Sequence, residues 1–306
     1  ETAVEGLRDR LSHDPALAEA ELSAPLRIVP GKRAIFDGRL GDTRAVYRFY
    51  IDRPGEHAAR DWTELQRSAA YMQTGPYRVN APLLHLPTLG CVVVAHAPGT
   101  PLMEKLWGLE KPERAAFMRP AAEWLRAYTD PTEERRPPRL EGWLGRAEKG
   151  AARQPFEEMR SVEAAILARM KQMAAAMEGQ SWRVAISHGD FHPNNLLSDA
   201  GTLTGIDTGG SAQLAFYKDI ARFLTHMGRR GLRGAGGTRF GVCAEGLAAF
   251  EEVFALDEAE RRLFLPFFFG VEALVRVEAR FFSKGRLRRS RAFYEALLDD
   301  LSALDL

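Results

Sequence analysis

Ser187-His188-Gly189-Asp190-Phe191-His192-Pro193-Asn194-Asn195, followed by Gly205-Ile206-Asp207-Thr208-Gly209, is the stretch on which the reading of this 306-residue chain turns. It sets a carboxylate at 190, an amide five residues on, and a second carboxylate twelve residues beyond the amide. Amide and carboxylate oxygens are hard donors suited to Mg²⁺. A further carboxylate beside them is what orients a hydroxyl for attack on a phosphoryl group. The expectation is phosphoryl transfer, with Asp190 on the attacking hydroxyl and Asn195 and Asp207 sharing the Mg²⁺ that accompanies ATP. Two other readings compete. Asp190 can be an Asx-turn residue and Asp207 a loop former, or His188-x-Asp190-x-His192 can be a metallohydrolase ligand set. The remaining histidines (His13, His57, His85, His96, His226) stand singly, so that ligand set lacks the partners it ordinarily draws from elsewhere.

The bulk properties leave room for this chemistry. The length allows two lobes, and 45% apolar with 27% charged residues is ordinary globular composition. A net charge of +1 gives no overall field to recruit nucleic acid or a membrane surface. Cys91 and Cys243 stand in apolar contexts without metal-ligand spacing and read as free buried thiols. No charged-then-apolar leader begins the sequence, and the longest apolar run, 263–274, carries Glu272. These features predict a soluble, cytoplasmic protein; oligomeric state is not readable.

Patterning changes along the chain. Residues 3–22 have helical spacing. From 26 to 94 the pattern is strands (27–29, 33–36, 44–51, 83–84, 91–95), interrupted by a helix over about 56–72. Beyond 102 it is helical: 110–128, 157–178, 216–228, 243–255, 257–282 and 288–303. A strand-and-turn region between 184 and 206 carries the motif, and 129–140 reads as an exposed connection. The fold class predicted is α+β: a small mixed sheet-plus-helix lobe over 1–95 and a larger, mainly helical lobe over 96–306.

With the motif in this setting, the chain resembles the aminoglycoside/choline kinase-type phosphotransferases, small-molecule relatives of the protein kinases. His188 to Leu197 looks like that family's catalytic loop, and Ile206-Asp207-Thr208-Gly209 looks like its metal-binding segment. Asp219-Ile220-Ala221 lies twelve residues after Asp207, where the family has an Asp that braces the catalytic loop. The resemblance implies a two-lobe, protein-kinase-like fold that uses ATP and Mg²⁺, with His188 packed beneath the loop. It implies that Val93 to His96 is the interlobe hinge, whose backbone at Val94 and His96 reads adenine.

In the strand over 43–51, Val46, Arg48 and Tyr50 share one face. The kinase-like pattern puts a small apolar residue and then a phosphate-holding lysine there, so Val46 falls under adenine and Arg48 takes the lysine's place. Arg is a bidentate phosphate clamp of different reach, and Lys32 is the alternative phosphate ligand. Glu64 on the following helix is expected to fix Arg48, with Glu56 the competitor. No Gly-x-Gly-x-x-Gly precedes the strand; the 37–42 turn can approach phosphates, whereas the Gly-rich 231–237 lies between helices.

The expected acceptor is a small-molecule hydroxyl. The acceptor-side helices carry acids (Asp257, Glu258, Glu260, Asp299, Asp300) and also two basic clusters, Arg229, Arg230, Arg233, Arg239 and then Lys284, Arg286, Arg288, Arg289, Arg291. The clusters favour an anionic acceptor over a polycationic aminoglycoside. The rival class is a pseudokinase, a nucleotide- or partner-binding chain without transfer, suggested by Arg48 and the absent Gly-rich loop. A protein kinase fits less well, because little sequence between Asp207 and the next helix is left for an activation loop.

Overall fold

The computed structural model describes residues 20–276 and 278–306. The helix expected over 3–22 falls mostly outside the described residues, and residues 20–22 open a strand instead. The chain divides into two compact units, residues up to Gly99 with Leu197–Gly210, and Thr100–Leu196 with Ser211–Leu306. The first unit is therefore discontinuous in sequence, and the hairpin carrying Asp207 belongs to it.

In the first unit, β1 (Ala20–Val29), β2 (Arg33–Leu40) and β3 (Thr43–Tyr50) form an antiparallel meander. The β2–β3 link is the pair Gly41-Asp42, with Gly41 at φ 56°, the left-handed turn that matches strand twist. After α1 (Pro54–Ala69) come β4 (Tyr77–Val79), β5 (Pro82–Leu86) and β6 (Cys91–Ala95). The main sheet runs β1-β2-β3-β6-β5. Alternation along β3 sorts its side chains as the sequence predicts. Ala45, Tyr47 and Phe49 join Phe36, Cys91 and Val93 on one face. Val46 and Tyr50 meet Ala58 and Leu65 of α1, with Val92 and Val94, on the other. The short strand β4 pairs in parallel with Thr202–Gly205, Leu203 opposite Tyr77.

The second unit is helical around one buried rod. Its parts include α2 (Met118–Thr129), β7 (Trp182–Ser187), α3 (Tyr217–Gly228), α4 (Leu265–Val275) and α5 (Lys284–Ser302). All twelve residues of α3 are buried. Glu134–Arg136, expected as open connection, pairs as a strand with β7. A helix over Leu140–Ala151 was hidden by three glycines, residues with low helix propensity. Gly150 is required there, because a Cβ would lie 2.1 Å from the Leu274 carbonyl oxygen. The apolar segment expected as one helix over 257–282 is a π-turn, Glu260–Phe264, continued by α4, and it ends at Val275. Phe264, Phe267, Phe268 and Phe269 are core residues, while Phe281 beyond the helix is 87% exposed. Among the described residues no helix is long and apolar enough to cross a membrane.

Candidate active site

Within the second unit, the loop after β7 is held on both sides of Asp190. Gly189 (φ 84°) donates its N–H to Asp219 Oδ2 at 3.0 Å, and its carbonyl accepts from Lys218. Asp219, fully buried on α3, is thus the brace the sequence resemblance implied. On the other side, Phe191 is fully buried and stacks between Trp124 (5.5 Å) and Phe223 (5.1 Å). Such aromatic pairs contribute about 1 kcal/mol each beyond their buried area. His188 is fully buried against Trp124, Tyr128 and Phe191, which makes it a floor residue of the loop. Among the described residues no cluster of three His, Cys, Asp or Glu is arranged to hold a metal.

Asp190 itself remains about half exposed (46%). Its Oδ1 accepts from Arg222 Nε at 2.9 Å and Arg276 Nη2 at 3.2 Å, and His192 Nε2 lies 3.5 Å from Oδ2. Burial alone would raise this carboxyl, but the hydrogen bond from His192 and the charge of Arg222 hold it well below the usual carboxylate range. Glu272, buried on α4, backs both arginines, at 3.8 and 3.5 Å. Five residues on, Asn195 donates Nδ2–H to the Asp190 carbonyl at 3.0 Å. That bond fixes the amide through its nitrogen.

In the first unit, Asp207 adopts φ 63°, a left-handed conformation uncommon outside glycine and often found where function demands it. Its carboxylate is taken bidentately by Arg33, at 2.8 and 3.0 Å. That hydrogen bond raises the Arg33 guanidinium further, against the effect of burial. Nearby, Arg48 is fixed by a carboxylate of α1, but the carboxylate is Asp61 and not Glu64. Arg48 Nη1 lies 3.3 Å from both Asp61 oxygens, and Nη2 donates to Asn80 Oδ1 at 3.2 Å. Tyr50 Oη donates to Asp61 at 2.7 Å, and burial with the Asp61 charge pushes that phenol up, so it stays a donor. Burial opposes the Arg48 charge, yet Asp61 and Tyr50 outweigh it and the guanidinium is raised. The physical reason for the exchange is reach. Asp61 is fully buried directly against Arg48, whereas Glu64, one turn on, is engaged by Arg67 at 2.6 Å.

Gly209 lets the Asp207 segment approach α1, since a Cβ there would meet Asp61 Oδ1 at 2.8 Å. Val46 is opposite Val94 in the β3–β6 ladder, and Val94 is fully buried. His96 donates its N–H to the Arg44 carbonyl at 2.9 Å, so that donor is committed to the sheet. Lys32 is exposed in the β1–β2 turn, and the cation placed on Asp207 is its neighbour Arg33. Sequence reasoning missed Arg33, Asp61, Arg222 and Arg276. Only Asp61 left a signal, as a charged residue on the Ala58–Leu65 buried stripe of α1.

Taken singly, the amide oxygen of Asn195 in the second unit and the carboxylate of Asp207 in the first are hard donors of the kind divalent cations prefer. For Asn195 the commitment of the amide nitrogen to the Asp190 carbonyl makes the oxygen the atom suited to a cation.

The phosphotransferase enzyme family (APH) model matches residues 39–234, well over half of the chain. No curated protein matches it in sequence. Among solved structures it is similar to amicoumacin kinase hAmiN in complex with AMP-PNP, Ca²⁺ and Ami, with 13% identity, TM-score 0.59, and coverage of 100% of this chain and 98% of that one. A choline/ethanolamine kinase family protein from Mesorhizobium loti is 16% identical, TM-score 0.63, covering 97% and 98%. Aminoglycoside phosphotransferase APH(4)-Ia is 15% identical, TM-score 0.60, covering 98% of each chain. At such identities the likeness is one of fold, a protein-kinase-like α+β architecture. The family match spans the Asp190 loop and the Asp207 segment, and this chain belongs to the phosphotransferase enzyme family.

Proposed function

We propose that the chain transfers the γ-phosphoryl group of ATP, with Mg²⁺, to a hydroxyl of an anionic small molecule. The observation that carries this reading is Asp190, half exposed on a doubly anchored loop and held ionised. Two guanidinium groups occupy Oδ1, so Oδ2, which faces His192 at 3.5 Å, is the oxygen that receives the acceptor hydroxyl. The depressed carboxyl is a weak base. Its work is to orient the hydroxyl and take the proton late, which suits a loose transition state. Asn195 and Asp207 hold the cation, which when bound neutralises charge on the phosphate oxygens. Arg48, fixed by Asp61, positions the phosphates, and Val46, Val94 and His96 border the adenine.

The groove beside Gly189, about 770 Å³, sets the charge of the acceptor, since its lining includes Arg146, Lys149, Arg153, Lys218 and Arg276 with Glu272. A polycation there meets like charge, and an anion does not. The test is ADP release with Mg-ATP across neutral, anionic and cationic hydroxyl compounds, kanamycin among them. Turnover confined to anionic acceptors is the expected result, and efficient phosphorylation of kanamycin sinks the assignment.

A second reading, nucleotide binding without transfer, draws on the bidentate Arg33 hold on Asp207, which competes with a cation for the same oxygens. Arg33→Gln separates the two. As a competitor of the cation, Arg33 on removal lowers the Mg²⁺ needed for half-maximal ADP release, by about fivefold for a partly exposed charged pair. ATP binding with no turnover in either protein, on any acceptor, favours the silent reading.

A further inference from the structure

Two basic segments far apart in sequence, Arg229-Arg230 and Arg286, meet in the second unit with Arg222 and Arg276 around a small pocket of about 180 Å³. Its charges do not cancel. Arg222 and Arg276 share Asp190 and Glu272, and Arg229 is paired with Glu278. Arg230 donates to the His226 carbonyl, and Arg286 lies 3.5 Å over the Phe282 ring. Among the described residues neither has a carboxylate within ion-pair distance, so two positive charges stand in excess. Burial and the neighbouring Arg286, Arg229 and Arg222 bring Arg230 down to about 10, the mark of crowded like charge.

Two polar side chains of the lining are also short of hydrogen-bond partners. Thr225 and His226 are among its lining residues, buried to 1% and 5% exposure, and Thr225 Oγ1 and His226 Nδ1, both shut off from solvent, have no partner among the described residues. Burial and the surrounding arginines keep His226 neutral. The Asn194 amide meets its Nε2 at 3.4 Å, which puts the ring proton on Nδ1 as an unspent donor.

We propose that this pocket binds a phosphomonoester group of the acceptor, so that the chain phosphorylates a small molecule already carrying one phosphate. A phosphomonoester has a charge of about −1.5 to −2 at neutral pH, which matches the excess of two. The volume admits a head group and little more. Arg276 lines both this pocket and the 770 Å³ groove, and with Arg222 it touches Asp190, so phosphate and reacting hydroxyl lie on one continuous surface. The acceptor assignment rests on the kinase reading above; the pocket does not. In the reaction, the acceptor oxygen forms the new bond to the γ-phosphorus. The bond to the bridging oxygen breaks with its electron pair leaving on ADP, and the hydroxyl proton passes to Asp190 Oδ2 and then to solvent. The product is a bisphosphate, and the substrate comes from an earlier phosphorylation.

Calorimetric titration of the nucleotide-free chain with inorganic phosphate, at constant ionic strength and with acetate as control, tests the pocket. Phosphate should bind at least tenfold tighter than acetate, and at least tenfold weaker to R230Q/R286Q. R286Q alone should lose part of the affinity and serves if the double variant does not fold. No phosphate binding to the wild type, or binding retained in the variants, overturns the site. ADP release is then compared for ribose and ribose 5-phosphate, glycerol and glycerol 3-phosphate, and glucose and glucose 6-phosphate. A preference of at least tenfold for a phosphorylated member, lost in R230Q/R286Q, supports the acceptor. Equal turnover of the neutral members overturns it. Phosphate binding lost in the variants, with no ADP release from any pair, keeps the pocket and removes the kinase reading.

Discussion

Replacing Asp190 with Asn is expected to lower kcat for acceptor-dependent ADP release by about 10³-fold, within the range for a positioned proton acceptor, while ATP affinity changes little. The substitution keeps the shape and removes the charge, so the acceptor hydroxyl loses both its orienting carboxylate and its final proton acceptor. Arg222 and Arg276 lose their exposed counter-ion but retain Glu272. The loss of stability is therefore small, under about 1 kcal/mol for a half-exposed pair. Its pH dependence has a definite sign. A carboxyl depressed in the folded state stabilises above its unfolded pKa, and the contribution fades as pH falls through the acid range. The variant should lack that part of the acid slope. Steady-state kinetics, ATP calorimetry and melting curves from pH 7 downward measure all three effects. Unchanged turnover removes Asp190 from the mechanism.

The second large effect is one of stability and belongs to Asp61. Asp61→Ala leaves the buried Arg48 guanidinium and the partly buried Tyr50 hydroxyl without their carboxylate. Breaking a buried pair from one side costs about 3–5 kcal/mol, roughly 10 °C in Tm for a protein of this size. Glu64→Ala, which releases Arg67 from a partly buried pair, should cost less, about 1–2 kcal/mol. Urea unfolding of the two variants side by side decides the point. Equal losses, or a larger one at Glu64, would return the fixing role to Glu64.

These two residues also mark what the sequence could and could not convey. Asp190 was legible because its chemistry is local: the acid, the amide and the glycine before them lie within seven residues. The faces of β3 were legible because a period of two survives in eight residues. Asp61 and Glu64 lie three apart on α1, so periodicity puts both near the buried side, and only side-chain length and the position of Arg67 separate them. Arg33 and Arg276 reach their carboxylates across 174 and 86 residues, and nothing local signals such a pairing. The helix over Leu140–Ala151 was masked for the opposite reason, since a tertiary contact at Gly150 overrides local propensity.

The discontinuity of the first unit sets a schedule for synthesis. The parallel partner of Tyr77–Val79 lies about 125 residues downstream. At roughly 5–20 residues per second on the ribosome, that is a wait of about 6–25 s between the emergence of the two strands. Throughout that interval β4 has no strand beside it, although the five-stranded sheet is already complete in sequence, and helices of the second unit emerge before the first can close. The nascent chain is then at its most exposed to chaperones and to misassociation, and it leaves that state only as the segment bearing Asp207 arrives.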